Sequence, residues 1–167
     1  MKKVSANEAF GMFKPESCVF VVSADKKGRP NGMVASWNMK CSEEPPMLAV
    51  ALWNRGNTHR LIRQSKEFVI AVPNMGLLKE VEYFGSHHGN KTDKFRETGI
   101  KTMKARYVRP PLIRDATVNF ECRLEKDIGA GECIIFVGKV LASYINPGKK
   151  IILNLGSENG KRLFREL

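Results

Sequence analysis

From Ala116 to Asn146 the chain reads as two long extended runs separated by only a short turn, and no other feature limits the fold as strongly. In "ATVNFECRLEKD" Val118, Phe120, Cys122 and Leu124 fall on one face. Asn119, Glu121 and Arg123 fall on the other, the period of two expected of a strand covered on one side. "GAGE" supplies turn chemistry, and "CIIFVGKVLASYIN" resumes an extended pattern in which Gly138 marks a bulge or a close backbone approach. Long strands joined this tightly pair antiparallel, which argues against a doubly wound parallel sheet.

The remaining segments agree. "CVFVVSAD" is β-branched and aromatic, "KKGRPNG" is a turn, and "MVASWNM" is extended, so the three predict a hairpin. "PPMLAVALW" is a near-continuous apolar strand ended by "NRGN". Thr58 is the expected N-cap of a short helix through Leu61, Ile62 and Ser65. "EFVIAVPN" is a strand, and Leu77, Leu78, Val81 and Phe84 have the spacing of an amphipathic helix. "GNKTDKFRETGIKTMKARYVRPP" is turn-rich and basic, and reads as a mobile excursion. "PGKK" then turns into "IILNLG". Five or six antiparallel strands with two short helices predict a mainly β, small-barrel fold, with residues 1–167 forming one domain.

The formal charge of +11 raises the question of nucleic acid, but the cations are scattered and Asp or Glu lies between most of them. A nucleic-acid partner is therefore not expected, and small anions suit the same charge better. No apolar run reaches the ~20 residues of a membrane span, and no secretory leader is recognisable. Cys18, Cys41, Cys122 and Cys133 form no C-x-x-C pair and have no His at metal-finger spacing. Free thiols and a reducing, cytoplasmic setting are expected, with no metal.

"NGMVASWNMKCS" carries small and hydroxyl-bearing residues where a plain strand would carry Val and Ile. Gly32, Ala35 and Ser36 allow something flat to approach the backbone, with Met33 or Trp37 as apolar walls. Ser36 and Ser42 are expected beside Arg55 and Thr58, where a guanidinium fork, hydroxyls and helix-start N–H groups suit a phosphate. FMN, with its ring, polyol and single phosphate, has the required parts, although this chemistry alone fits other phosphorylated ligands.

The ordered set "NGMVASW", "NMKCSEEPPMLAVAL" and "NRGNTHRLI", followed by "EFVIAVPN", "TDKF" and "GECIIFVGKV", resembles the flavin reductase-like family. Its pattern runs N-A-M-T-A-S-W, V-S, an acidic residue, P-P, a hydrophobic strand, then R-x-T-H-E-L-I. The resemblance covers about Val19 to Leu155. It implies an FMN-binding split β-barrel, six-stranded, antiparallel and Greek-key-like, with a few short helices. It also implies an oxidoreductase that passes electrons from NADH or NADPH through FMN to free flavin or another acceptor. By the resemblance, Met33, Val34, Ala35 and Ser36 line the flavin, Cys41 and Ser42 meet the ring edge, and Arg55 and Thr58 hold the phosphate with Asn57 and His59 beside them. A homodimer is implied, with the partner completing each site.

Two departures bear on function. Val34 stands where the pattern has Thr, which removes one hydroxyl donor. Cys133 stands where many reductases of the family carry a His associated with nicotinamide use. The second departure keeps open a flavoredoxin-like carrier that exchanges electrons with a protein partner. No catalytic side chain is singled out: His87 and His88 read as surface residues, and Lys91 and Lys94 either as solvated charge or as cations steadying an anionic reduced flavin.

Overall fold

A computed structural model describes all 167 residues. After helix α1 (Ala6–Met12) and the short β1 (Glu16–Ser17) come β2 (Val19–Ala24), β3 (Pro30–Ala35), β4 (Asn38–Ser42) and β5 (Met47–Trp53). Helix α2 (Asn57–Ser65) leads into β6 (Glu67–Val72), a 3-10 turn (Met75–Leu77) and α3 (Leu78–Ser86). Then follow α4 (Lys94–Thr98), β7 (Thr102–Met103), β8 (Leu112–Ile113), and the long pair β9 (Val118–Ala130) and β10 (Cys133–Ile145). The chain ends in β11 (Ile152–Glu158) and β12 (Lys161–Glu166).

One seven-stranded sheet, in the order β3-β2-β6-β9-β10-β5-β4, carries the fold, and every pairing in it is antiparallel. It buries two cores, because alternate side chains of β2 and β6 point to opposite faces. Val19, Val21, Phe68 and Ile70 pack with Val50, Leu52, Ile62, Cys122, Ile134 and Phe136. Phe20, Val22, Val69 and Ala71 pack on the other face against Val81, Phe84, Phe95, Ile100, Val108 and Ile113. Phe20, Phe68, Phe84 and Phe136 are fully enclosed, each contributing about 1.5–3 kcal/mol.

Gly138 meets both expectations. The β9–β10 register shifts between Val137 and Gly138, and a Cβ there would lie 2.3 Å from Phe68 Cζ and 3.1 Å from Cys122 Cβ. Gly138→Ala should therefore destabilise the fold by about 1–3 kcal/mol, read as a lower urea midpoint with an unchanged slope.

Several expectations need correction. The main sheet has seven strands rather than six, because "MVASWNM" is not one strand. It breaks at Ser36–Trp37, where the Asn38 side-chain amide donates to the carbonyls of Ala35, Ser36 and Ser17 and the chain turns a corner. Trp37 is left 54% exposed. Thr58 is not the N-cap of α2; Gly56 is, and Thr58 is buried in the first turn. Helix α1, β1 and β12 carry no strong pattern and were not expected.

The largest correction concerns residues 89–111, which are no mobile excursion: Phe95, Ile100, Ala105 and Val108 belong to the outer core. Glu121, fully buried, accepts the backbone N–H groups of Arg106, Tyr107 and Val108 and the Tyr144 hydroxyl. Asn119 likewise exchanges two hydrogen bonds with the Ile113 backbone. The polar face of β9 thus anchors this segment and does not meet solvent.

Candidate functional site

The start of α2 carries a connected polar cluster. No side chain caps the helix, so its first N–H groups stay available. Asn31 of β3, itself buried, donates to Thr58 Oγ1 at 2.8 Å and to Ser23 Oγ at 3.2 Å. Its Oδ1 accepts from Asn57 Nδ2 at 3.4 Å, and Asn57 Oδ1 accepts from Arg60 Nη2 at 2.7 Å. Gly89 closes over Asn31 so tightly that a Cβ at residue 89 would lie 2.1 Å from Asn31 Oδ1 and 3.7 Å from Lys94 Cε.

Of two groups here, Lys94 lacks a counter-charge and His59 lacks a hydrogen-bond partner. Lys94 is 4% exposed and forms no ion pair; its ammonium donates to the Phe84 carbonyl at 2.8 Å and stands 5.4 Å from the Phe84 ring centre. Burial pulls its pKa down to about 8. His59 Nδ1 is enclosed without any hydrogen-bond partner, and burial, then Arg63 and Arg60, lowers the pKa of the ring. A cluster of N–H donors, guanidinium and buried ammonium fits an anion, and the orphaned nitrogen fits a ligand with polar atoms.

Strand β3 links this cluster to a second feature. It is the terminal strand of the sheet, so one of its edges offers backbone groups with no strand partner. Asn31 near its start and Ser36 just past its end lie five residues apart, roughly 17 Å at ~3.4 Å per residue. Beyond Ser36 opens a cavity of about 890 Å³, with Ala49, Val50, Ala51 and Ile135 as its floor and Phe10, Phe13, Trp37 and Met39 among its walls. Ser36 Oγ accepts from Asn154 Nδ2 at 3.1 Å at its rim.

The expected residues therefore do not share one neighbourhood. Asn57, Thr58 and His59 sit at the α2 end, and Ser36 at the cavity end. The Arg55 guanidinium lies 5.9 Å from the Trp53 ring centre. Cys41 and Ser42 are remote from Arg55: Ser42 pairs with Met47 at the first residue of β5, whereas Arg55 follows the last. Met33, Val34 and Ala35 present backbone to the free edge, but their side chains pack into the two cores. Gly32 is small for an internal reason, since a Cβ there would lie 2.8 Å from Phe84 Cε1. Cys18 and Cys122 are buried thiols pushed up to about 12, Cys133 is half-buried, and no disulfide forms. Asn31, Arg60 and Gly89 were not anticipated. Only the Asn opening an extended run was a usable signal.

No helix is long and apolar enough to cross a membrane. An uncharacterised protein of Archaeoglobus fulgidus is 35% identical over 127 residues, covering 76% of this chain and 71% of its own. An NADH:FAD oxidoreductase of Streptomyces globisporus superposes with a TM-score of 0.84 at 21% identity, covering 100% of this chain and 98% of that one. Flavoredoxin of Desulfovibrio vulgaris superposes with a TM-score of 0.81 at 20% identity over 100% and 90% of the two chains. These similarities show a shared split-barrel fold. The model of the flavin reductase like domain matches residues 12–158, and with the architecture above this places the chain in the flavin reductase-like family.

Proposed function

We propose that the protein is a flavin-dependent oxidoreductase that holds FMN along the free edge of β3, phosphate at the start of α2 and ring toward Ser36. The carrying observation is the uncapped, donor-rich α2 terminus standing one strand length from an apolar cavity that opens past the end of β3. A ligand with a phosphate at one end and a flat ring at the other matches that layout.

In this reading Asn57, Thr58 and the α2 N–H groups hold the phosphate, with Arg55 contributing charge. His59 turns its unpartnered nitrogen to the ligand. Met33, Val34, Ala35 and Ser36 act through the exposed backbone edge, which explains why Val34 serves where a hydroxyl is absent. Bound flavin supplies the acceptance and release of electrons; the protein supplies position and charge. Lys94 provides a fixed cation at the phosphate end of the strand.

NADH or NADPH is the proposed donor, with free flavin or another small acceptor reaching the ring from the cavity. A flavoredoxin-like carrier is the second reading, favoured by Cys133, which opens β10 opposite Trp53 and offers no imidazole. The exposed Phe10, Phe13, Trp37 and Met39 around the cavity suit a homodimer whose second copy covers them. Four free thiols suit a reducing cytoplasm. Purified protein should be yellow, or become so on adding FMN, with a one-to-one titration. Anaerobic NADH or NADPH should bleach it, while bleaching only by a reduced iron–sulfur protein would favour the carrier. Protein that takes up no FMN refutes both.

A further inference from the structure

We infer that Arg60 is a phosphate-holding residue that makes FMN a resident group rather than a diffusing substrate. This rests on the site proposed above and goes beyond it by naming the charge that selects a phosphomonoester. Three guanidiniums surround α2, and only Arg60 combines a hydrogen bond that fixes it on the helix with the absence of an ion pair. Arg63 is ion-paired with Asp127. Arg55 lies over Trp53. Arg60 forms no ion pair, and its Nη2 is fixed on Asn57 Oδ1 in the first turn, leaving the rest of its fork unassigned.

Across Asn31 and Gly89 stands Lys94, more than nine-tenths buried and also without a carboxylate. Two cations therefore flank an uncapped helix start, and no side-chain carboxylate bonds to either. A buried ammonium left in that state is costly unless an anion joins it. A terminal phosphate carries up to two negative charges and accepts from a planar fork, so it balances the pair. Riboflavin, which ends in a hydroxyl, does not. The chain has T-H-R-L-I where the family pattern quoted above has T-H-E-L-I, so this guanidinium is a feature of the present sequence.

The test titrates flavin-free protein with FMN and with riboflavin, following quenching of flavin fluorescence. Wild type should favour FMN. Arg60→Ala should raise the FMN Kd roughly tenfold to a hundredfold, the range for a lost charge-assisted bond, and leave the riboflavin Kd unchanged. Arg60→Lys should fall between, since it keeps the charge and loses the fork. Arg63→Ala, which removes an equal charge from the same helix, should shift the FMN Kd less than about threefold. Gel filtration should retain FMN on wild type and strip it from Arg60→Ala. Arg60 is exposed on its helix, so circular dichroism should show all variants folded. An unchanged ratio of FMN to riboflavin affinity in Arg60→Ala overturns the inference and leaves the flavin reading intact. A wild type that binds neither flavin overturns both.

Discussion

Glu121→Ala should unfold with a loss of about 3–5 kcal/mol and should open residues 89–111 before the barrel gives way. The carboxylate accepts three backbone N–H groups and the Tyr144 hydroxyl while fully enclosed. Removing it strands one buried and two partly buried backbone donors, each costing up to about 1–3 kcal/mol when unsatisfied, partly offset by entry of water. Glu121→Gln keeps one acceptor but turns an amide donor toward other donors, so it should lose less, about 1.5–3 kcal/mol. Burial raises the Glu121 pKa, but the donors of Arg106, Tyr144, Tyr107 and Val108 more than offset it, and the group ends below its ordinary value. Its contribution is therefore present above the unfolded carboxylate pKa and lost as pH falls through the lower folded one. Denaturation at pH 7 and pH 3 should show the gap between wild type and Glu121→Gln closing in acid. Trypsin should cut Glu121→Ala first at the exposed Lys101, Lys104 and Arg106. Equal cutting of wild type and variant would show that the clamp does not hold this segment.

The partners of that clamp lie outside any local sequence pattern. Strand periods, tight turns and single glycines are local, so β2, β5, β6, the β9–β10 hairpin and the close approach at Gly138 were all legible. Whether a polar face meets water is not local. Asn119 and Glu121 look like surface residues because their partners are backbone groups of a segment that carries no strong pattern of its own. Gly32 shows the reverse error: its smallness suggested room for a ligand, yet Phe84 fills the space. At the site, residue types near Thr58 located a helix start whose first N–H groups no side chain caps. The register did not follow from them, and Ser36 proved to stand a full strand away. Arg60 was hidden for another reason, and for the same reason Lys94 stayed open between solvated charge and a cation facing the flavin. A cation reads as solvated charge until the fold shows that nothing neutralises it.

Lys94→Met separates the two tasks that such a cation performs. In the flavin-free protein the change replaces a buried, unpaired ammonium with an apolar side chain of similar length, so stability at pH 7 should be unchanged or higher despite the lost bond to Phe84. Burial sets the folded pKa near 8, below the value of 10.5 expected when the chain is unfolded. Between those values the unfolded chain binds more protons than the folded one. Wild-type stability should therefore rise, from this group, as pH climbs from about 8 toward 10, and Lys94→Met should lack that rise. FMN affinity should move the other way. If the ammonium faces the phosphate end of the flavin, truncating it should cost about 2–5 kcal/mol of binding, with FMN affected far more than riboflavin. Bound FMN should also stabilise wild type more than the variant in thermal melts. A variant less stable at pH 7 and unaltered in FMN affinity would make Lys94 a cap for the α3 carbonyl alone. The opposite pair of results identifies a residue kept at a cost to the empty protein because the ligand needs its charge.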